Sequence, residues 1–229
     1  MQDSKTLHKE DIEVATQINN KSKAHTRYRL QDGTIIPGVT TITGLLDKPA
    51  IMYWANNLGL SGIDVRKHLD YLGNIGTLAH YLVMCHLKGE TPDTSDYTPN
   101  QLDIAENSLI KFMDWEKEHT LVPVAIETPM IHEGLKYGGQ PDWVGYVDGI
   151  SEIIDIKTAD AIYDEHWYQV SGYAEMAAYN NIIKPERYRI LGLPRDDKGS
   201  FHEEVKNNLD HEFKVFQKLL ELYQILKEK

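Results

Sequence analysis

The sequence predicts an α/β fold in which a central mixed β-sheet is flanked by helices. Three observations carry that prediction. Apolar residues recur at helical spacing both before and after the middle of the chain. Strand-like runs rich in β-branched residues occupy much of 121–157, and Asp148-Gly149 sits between two of them, where a two-residue hairpin turn belongs. At 229 residues, 41% hydrophobic and 26% charged, the chain has a globular composition and enough length for one well-packed domain.

Residues 1–25 read as an N-terminal arm, loose or with a short helix, and 26–229 as a single domain. TRYRLQDGTIIPGVTTI, residues 26–42, reads as a hairpin about Asp32-Gly33. Helices are expected at about 49–60, 75–88 and 100–118, the last with Leu102, Ala105, Leu109 and Phe112 at helical spacing. From 121 the pattern changes to strands: LVPVAIE, a Gly-rich bend at Gly138-Gly139, then QPDWVGYV and ISEIIDIKT. A helix over about 164–180 follows, then a strand near YRILGL and a shorter one at FHEEV. An amphipathic helix from about 208 carries Leu209, Phe213, Phe216, Leu220, Tyr223 and Leu226 on a stripe that closes the core and also suits a homo-oligomer.

Composition narrows the function classes. No stretch approaches the roughly 18 apolar residues of a membrane span, and MQDSKTLHKEDIE has no apolar core of a secretory signal, so a cytoplasmic location is expected. Cys85 is the only cysteine, which excludes an internal disulfide and leaves any metal to oxygen and nitrogen ligands. The net charge of −11 argues mildly against nucleic-acid binding. That objection has to be met locally, by Lys21, Lys23, His25, Arg27 and Arg29, then Arg66-Lys67, then Arg187, Arg189 and Arg195, each group of which also reads as solvated surface charge.

Acid-x-Lys triplets are common, and Asp3–Lys5, Asp196–Lys198, Glu204–Lys206 and Glu212–Lys214 read as surface charge. Asp155–Lys157 differs in its setting, IIDIK, because charges inside an apolar strand are costly without a partner or a metal. With Asp148-Gly149 as the turn, Val147 faces Ile150, Tyr146 faces Ser151, Val144 faces Ile153, Asp142 faces Asp155, and Gln140 faces Lys157. Two opposed carboxylates with Cβ atoms about 5 Å apart destabilise a sheet unless a cation bridges them. Lys157 shares the face of Asp155, while Trp143, Val147, Ile150, Ile154 and Ile156 take the other, so both sides of the hairpin are expected to be covered. Such a site suits Mg²⁺ or Mn²⁺ and phosphodiester hydrolysis, with the ammonium orienting or deprotonating the nucleophile and stabilising the transition state. A buried Asp–Lys ion pair beside a protonated second Asp fits the same pattern.

Pro141-Asp142 followed by Asp155-Ile156-Lys157 resembles the signature of the PD-(D/E)XK nuclease superfamily. Gly76-Thr77-Leu78-Ala79-His80, at the expected start of a helix, is similar to the G-T-x-x-H element of its RecB-type branch. Gln169-Val170-Ser171-Gly172-Tyr173 is similar to the Q-x-x-x-Y element, whose i, i+4 spacing puts Gln169 and Tyr173 on one helix face. VTTITGLLDKPAIMYWA resembles the N-terminal part of phage-type and mitochondrial-maintenance-type exonucleases, so the resemblance spans roughly 37–180. The single Cys85 excludes the four-cysteine, iron–sulfur-bearing subgroup. What the resemblance implies is a restriction-endonuclease-like core, a nuclease domain over 26–229, and a metal held by His80, Asp142, Asp155 and the backbone carbonyl of Ile156. Asp142, Asp155 and Lys157 would be catalytic, and Glu127 either a further acid of the site or a surface residue. Gln169, Tyr173 and Thr77 would meet the substrate, with Arg27 and Arg29 of the basic segment as further candidates.

The implied activity is a Mg²⁺- or Mn²⁺-dependent DNA exonuclease working from DNA ends in recombination, replication or repair, by analogy with phage-type single-domain members. Its implied partner is DNA with free ends, with a second copy of the chain and a single-strand-annealing or replication protein as further candidates. Three alternatives stay open: a non-catalytic nucleic-acid or protein-interaction module on the same scaffold, which suits the acidic charge, a structure-specific endonuclease, and an RNA nuclease. Trp54, Trp115, Trp143 and Trp167 read as core, although Trp167 and His166 lie near the Gln169–Tyr173 face and fit packing or substrate contact equally.

Overall fold

The computed structural model describes residues 27–46, 49–159, 161–195 and 199–228, so the expected arm over 1–25 lies outside the described residues. The first half runs β1 (Tyr28–Arg29), β2 (Ile35–Ile36), α1 (Val39–Thr43), α2 (Pro49–Leu60), α3 (Val65–Lys88) and α4 (Pro99–Glu116). The second half runs β3 (Leu121–Ile126), β4 (Met130–His132), β5 (Tyr137–Gly139), β6 (Trp143–Val147), β7 (Ile150–Lys157), α5 (Asp164–Tyr179), β8 (Arg187–Gly192), β9 (His202–Lys206) and α6 (Asp210–Lys227). The central sheet is five-stranded and mixed, in the order β3-β6-β7-β8-β9, with β7 and β8 parallel and the other neighbours antiparallel.

The sheet sits between two helical layers, as expected. On one face Val144, Ile153 and Ile190 pack with Val170 and Tyr173 of α5 and Phe216 and Leu220 of α6. On the other, Trp143, Val147, Ile154, Ile156 and Leu191 pack with Val83 and Met84 of α3 and Phe112 and Trp115 of α4. β7 is buried on both faces over most of its length, so Ile153, Ile154 and Ile156 are buried and the acids Glu152 and Asp155 are buried with them. Ile150, expected on the covered face, is 39% exposed beside the turn. A parallel pair cannot be closed by a tight turn, and α5 supplies the crossover from β7 to β8.

The register that Asp148-Gly149 dictates is present: Val147 pairs with Ile150, Tyr146 with Ser151, Val144 with Ile153 and Trp143 with Ile154. Both turn residues have positive φ, 54° and 82°, as a type I′ turn requires. Asp148 tolerates this conformation while its carboxylate accepts the Thr120 N–H at 2.8 Å. Pro123 and the register shift beside it fall on β3, an edge strand, where a missing N–H is tolerated.

Several expectations need correction. The hairpin about Asp32-Gly33 exists, but its strands are two residues each, and VTTIT forms helix α1 instead of continuing it. Burial of Val39 and Ile42 in the core outweighs the β preference of that run. Helix α3 begins at Val65, ten residues before the expected 75, capped by Asp64, whose carboxylate accepts the Lys67 N–H at 3.1 Å. Gly138-Gly139 is not a bend but strand β5, paired with β4. Its glycines serve close approach: a Cβ on Gly139 would lie 2.7 Å from the Tyr173 ring. Trp115, Trp143 and Trp167 are buried in the core, while Trp54, 37% exposed on α2, packs its ring 5.7 Å from that of His68 on α3.

Arg187 and Arg189 are not surface charges. They converge on Glu152, which is fully buried on β7, with Arg189 Nε 2.5 Å from Glu152 Oε1 and Arg187 Nε in contact with Oε2. Arg189 also meets Glu203, which accepts a hydrogen bond from Trp115 Nε1 at 2.8 Å. Among the described residues no helix is long and apolar enough to cross a membrane.

Candidate active site

At the carboxyl end of β7 the buried strand gives way to a cleft that Thr77, His80 and Lys157 line, and Asp155 and Asp142 lie beside those residues. Asp155 is 1% exposed. Lys157, two residues along and on the same face, places Nζ 2.5 Å from Asp155 Oδ2 as an ion pair. Apart from this ammonium, no donor of the described residues reaches either buried Asp155 oxygen. Burial pushes the Asp155 carboxyl up to about 6 against the pull of Lys157, and the charge of Asp142 adds to the rise.

Asp142 stands one residue before β6, so the ladder stops at Trp143–Ile154 and the expected Asp142–Asp155 and Gln140–Lys157 pairs lie beyond it. Asp142 turns its carboxylate back along β7, where Oδ2 accepts the Ile156 N–H at 2.7 Å. Its Oδ1 lies 2.9 Å from His80 Nε2. Burial pushes Asp142 up, but His80, Lys157 and the Ile156 N–H outweigh it and hold the carboxyl below its ordinary value. The partner effect on His80 has the same origin: burial lowers it, while Asp142 and Glu127 together raise it.

His80 reaches this point because it lies in the middle of α3, not at a helix start. Gly76, one turn earlier, lets α3 press against the end of β7, since a Cβ there would come within 2.8 Å of Thr158 Oγ1. Thr77 also lines the cleft, although its hydroxyl donates to the Gly73 carbonyl at 2.8 Å. Glu127 follows β3, and its N–H donates to the Asp142 carbonyl at 3.0 Å. It adopts φ 43°, uncommon for a residue with a side chain, and its carboxylate points to His80, with Oε1 3.6 Å from Nδ1. Lys88 Nζ holds the other oxygen at 2.6 Å. Lys88 lies eight residues after His80 on α3, a spacing of about two turns that brings both to one face, yet no motif marked it.

Gln169 and Tyr173 of α5 extend a hydrogen-bond chain from Lys157. Lys157 Nζ donates to Gln169 Oε1 at 3.2 Å, and Gln169 Nε2 donates to Tyr173 Oη at 2.9 Å. Burial and the charges of Asp155 and Asp142 keep the Tyr173 phenol protonated, well above its ordinary value. The cleft, about 380 Å³, is lined by Gly73, Gly76, Thr77, His80, Lys157 and Thr158, with Leu72, Ile156 and Arg195 at its margins. Arg27 and Arg29 do not line it: Arg29 Nη1 donates to the Gly33 carbonyl of its own hairpin at 3.1 Å, and Arg27 is exposed. Lys21, Lys23 and His25 lie outside the described residues. His166 and Trp167 are absorbed by structure, His166 Nδ1 accepting the Tyr163 N–H at 3.2 Å and Trp167 Nε1 donating to Glu204 at 3.2 Å. Among the described residues no three His, Cys, Asp or Glu side chains are already gathered as a ligand set, because His80 and Asp142 bond each other and Asp155 leans on Lys157.

No protein-family model matches the chain, and no curated protein matches it by sequence. Its fold is shared with a provisionally named exonuclease from Eubacterium rectale, at 13% identity and a TM-score of 0.50 over 66% of this chain. The match covers 65% of that protein, so this chain spans less than two thirds of its length. LHK-Exo, an alkaline exonuclease from Laribacter hongkongensis solved in complex with dAMP, aligns over 69% of this chain and 79% of its own, at 12% identity and a TM-score of 0.36.

Proposed function

We propose that the chain is a divalent-metal-dependent nuclease that digests DNA from its ends. The observation that carries this reading is Asp155, a buried carboxylate that meets the Lys157 ammonium but no other donor of the described residues. A purely structural acid in such a place would be satisfied, and Glu152, three residues away on the same strand, is. Asp155, Asp142 and His80 would together offer oxygen and nitrogen donors of the kind that suits Mg²⁺ or Mn²⁺. The holding residues would be His80, Asp142, Asp155 and the Ile156 carbonyl, with His80 and Asp142 exchanging their mutual hydrogen bond for the ion. When bound, the ion supplies Lewis-acid polarisation of the phosphate and activation of water.

The chain's own residues supply the rest. Lys157 brings a positive charge to the cleft, where it neutralises charge developing on the phosphate. Gln169, fixed by Tyr173, takes one Lys157 proton and so sets the direction of the others. Glu127, held by Lys88, lies 3.6 Å from His80 Nδ1 and is a further acid beside the centre. Preference for ends rests on the resemblance of His80, Asp142, Asp155, Lys157, Gln169 and Tyr173 to exonuclease motifs.

Incubation with end-labelled linear DNA and closed circular DNA, each with Mg²⁺ or Mn²⁺, tests the reading. Loss of the linear substrate with the circle intact is expected. Cutting of the circle would replace exonuclease with endonuclease, cleavage of RNA alone would move the substrate class, and no cleavage of any substrate would end the nuclease reading.

A further inference from the structure

The end of β8 delivers a residue that no motif marks. We infer that Arg195, with Thr158, forms a phosphate-binding subsite beside the candidate centre, gripping a neighbouring phosphodiester of the same nucleic-acid strand. This inference rests on the nuclease reading and names how that site holds its substrate.

The placement follows from strand pairing. β7 and β8 run parallel and end level, with Lys157 opposite Gly192 and the Leu193 N–H donating to the Lys157 carbonyl at 2.7 Å. Both strands therefore leave the sheet at the same edge, where open α/β sheets hold their ligands. Thr158 and Arg195 reach one cleft from that edge. Arg195 is also anchored twice. The preceding Pro194 carbonyl accepts a hydrogen bond from Ser108 Oγ, buried on α4, at 2.9 Å, and Arg195 Nη1 donates to the Leu72 carbonyl on α3 at 3.1 Å. A long side chain held at backbone and tip loses little further freedom when a ligand arrives.

The chemistry of the lining selects the ligand. Among the described residues that line the cleft there is no carboxylate, although the chain carries a net charge of −11, while Lys157 and Arg195 both line it. A planar guanidinium matches the oxygens of a phosphate, and Thr158 offers a hydroxyl beside it. Gly73 and Gly76 leave the α3 wall there without side chains, which opens room for a strand. Lys157 serves the reacting phosphate, and Arg195 serves its neighbour.

Steady-state digestion of end-labelled linear DNA across a salt series tests this, with Arg195→Gln, which keeps a donor for the Leu72 carbonyl but loses the charge. KM should rise about tenfold with kcat retained, and the slope of log(kcat/KM) against log salt should flatten by about 1. Arg195→Lys should keep the wild-type slope. Thr158→Val, which preserves volume, should raise KM by a smaller factor, and it decides the matter if Arg195→Gln fails to fold. Unchanged KM and salt slope in a chain that cleaves DNA would overturn the subsite and leave the nuclease reading standing. A wild-type chain that cleaves nothing removes both.

Discussion

Asp155→Asn is expected to remove cleavage, by about a thousandfold or more, and at the same time to make the metal-free fold more stable at neutral pH. Burial pushes the Asp155 carboxyl up to about 6 from an ordinary value of 3.8. Between those values the folded state keeps a proton that the unfolded chain has already lost. Stability from this group is therefore greatest below about pH 4, falls as pH rises to about 6, and stays reduced above it. A shift of that size corresponds to at most about 3 kcal/mol. The amide carries no charge and escapes the loss. Thermal unfolding in a chelator should show wild type and variant alike near pH 4 and the variant melting higher at pH 7. Saturating Mn²⁺ should reverse the order by stabilising only the wild type. Equal midpoints at every pH would mean that Asp155 is not a strained acid, and retained cleavage would mean that it is not in the site.

The second large effect falls at the other end of the same strand. Glu152 is fully buried, and its carboxylate is shared by Arg187 and Arg189. Glu152→Ala leaves those guanidiniums without it in the interior, Arg189 being 5% exposed. Loss of one partner from a buried ionic cluster costs about 3–5 kcal/mol, a large part of a domain's stability. Urea unfolding should show a much lower midpoint with the slope unchanged. A midpoint within experimental error of wild type would show that the cluster contributes nothing net. The two acids of β7 differ in kind: Glu152 is shared by two guanidiniums, and Asp155 meets only the Lys157 ammonium among the described donors.

The sequence was most legible where local chemistry and tertiary structure agree. The Asp148-Gly149 turn set a register that holds through Trp143 and Ile154, and it placed Asp155 and Lys157 on one face of a buried strand. It failed where packing overrides local preference. The run VTTIT carries β-branched residues but forms α1, because Val39 and Ile42 are drawn into the core. The expected helix from about 75 starts ten residues earlier and runs through Gly73, since Tyr71, Ile75 and Leu78 bury the same helix. Gly138-Gly139 signalled a bend, but those glycines make room for neighbouring rings. Arg195 was legible only as one of several basic residues, because parallel pairing of β7 with β8 is what brings it to the cleft.

Calorimetric titration of the metal-free protein with Mn²⁺, set beside the same titration of Asp155→Asn, tests the centre most directly. The account predicts saturable binding at or below millimolar metal in the wild type and its loss in the variant. Absence of binding at millimolar Mn²⁺, or the same isotherm in both proteins, would contradict it.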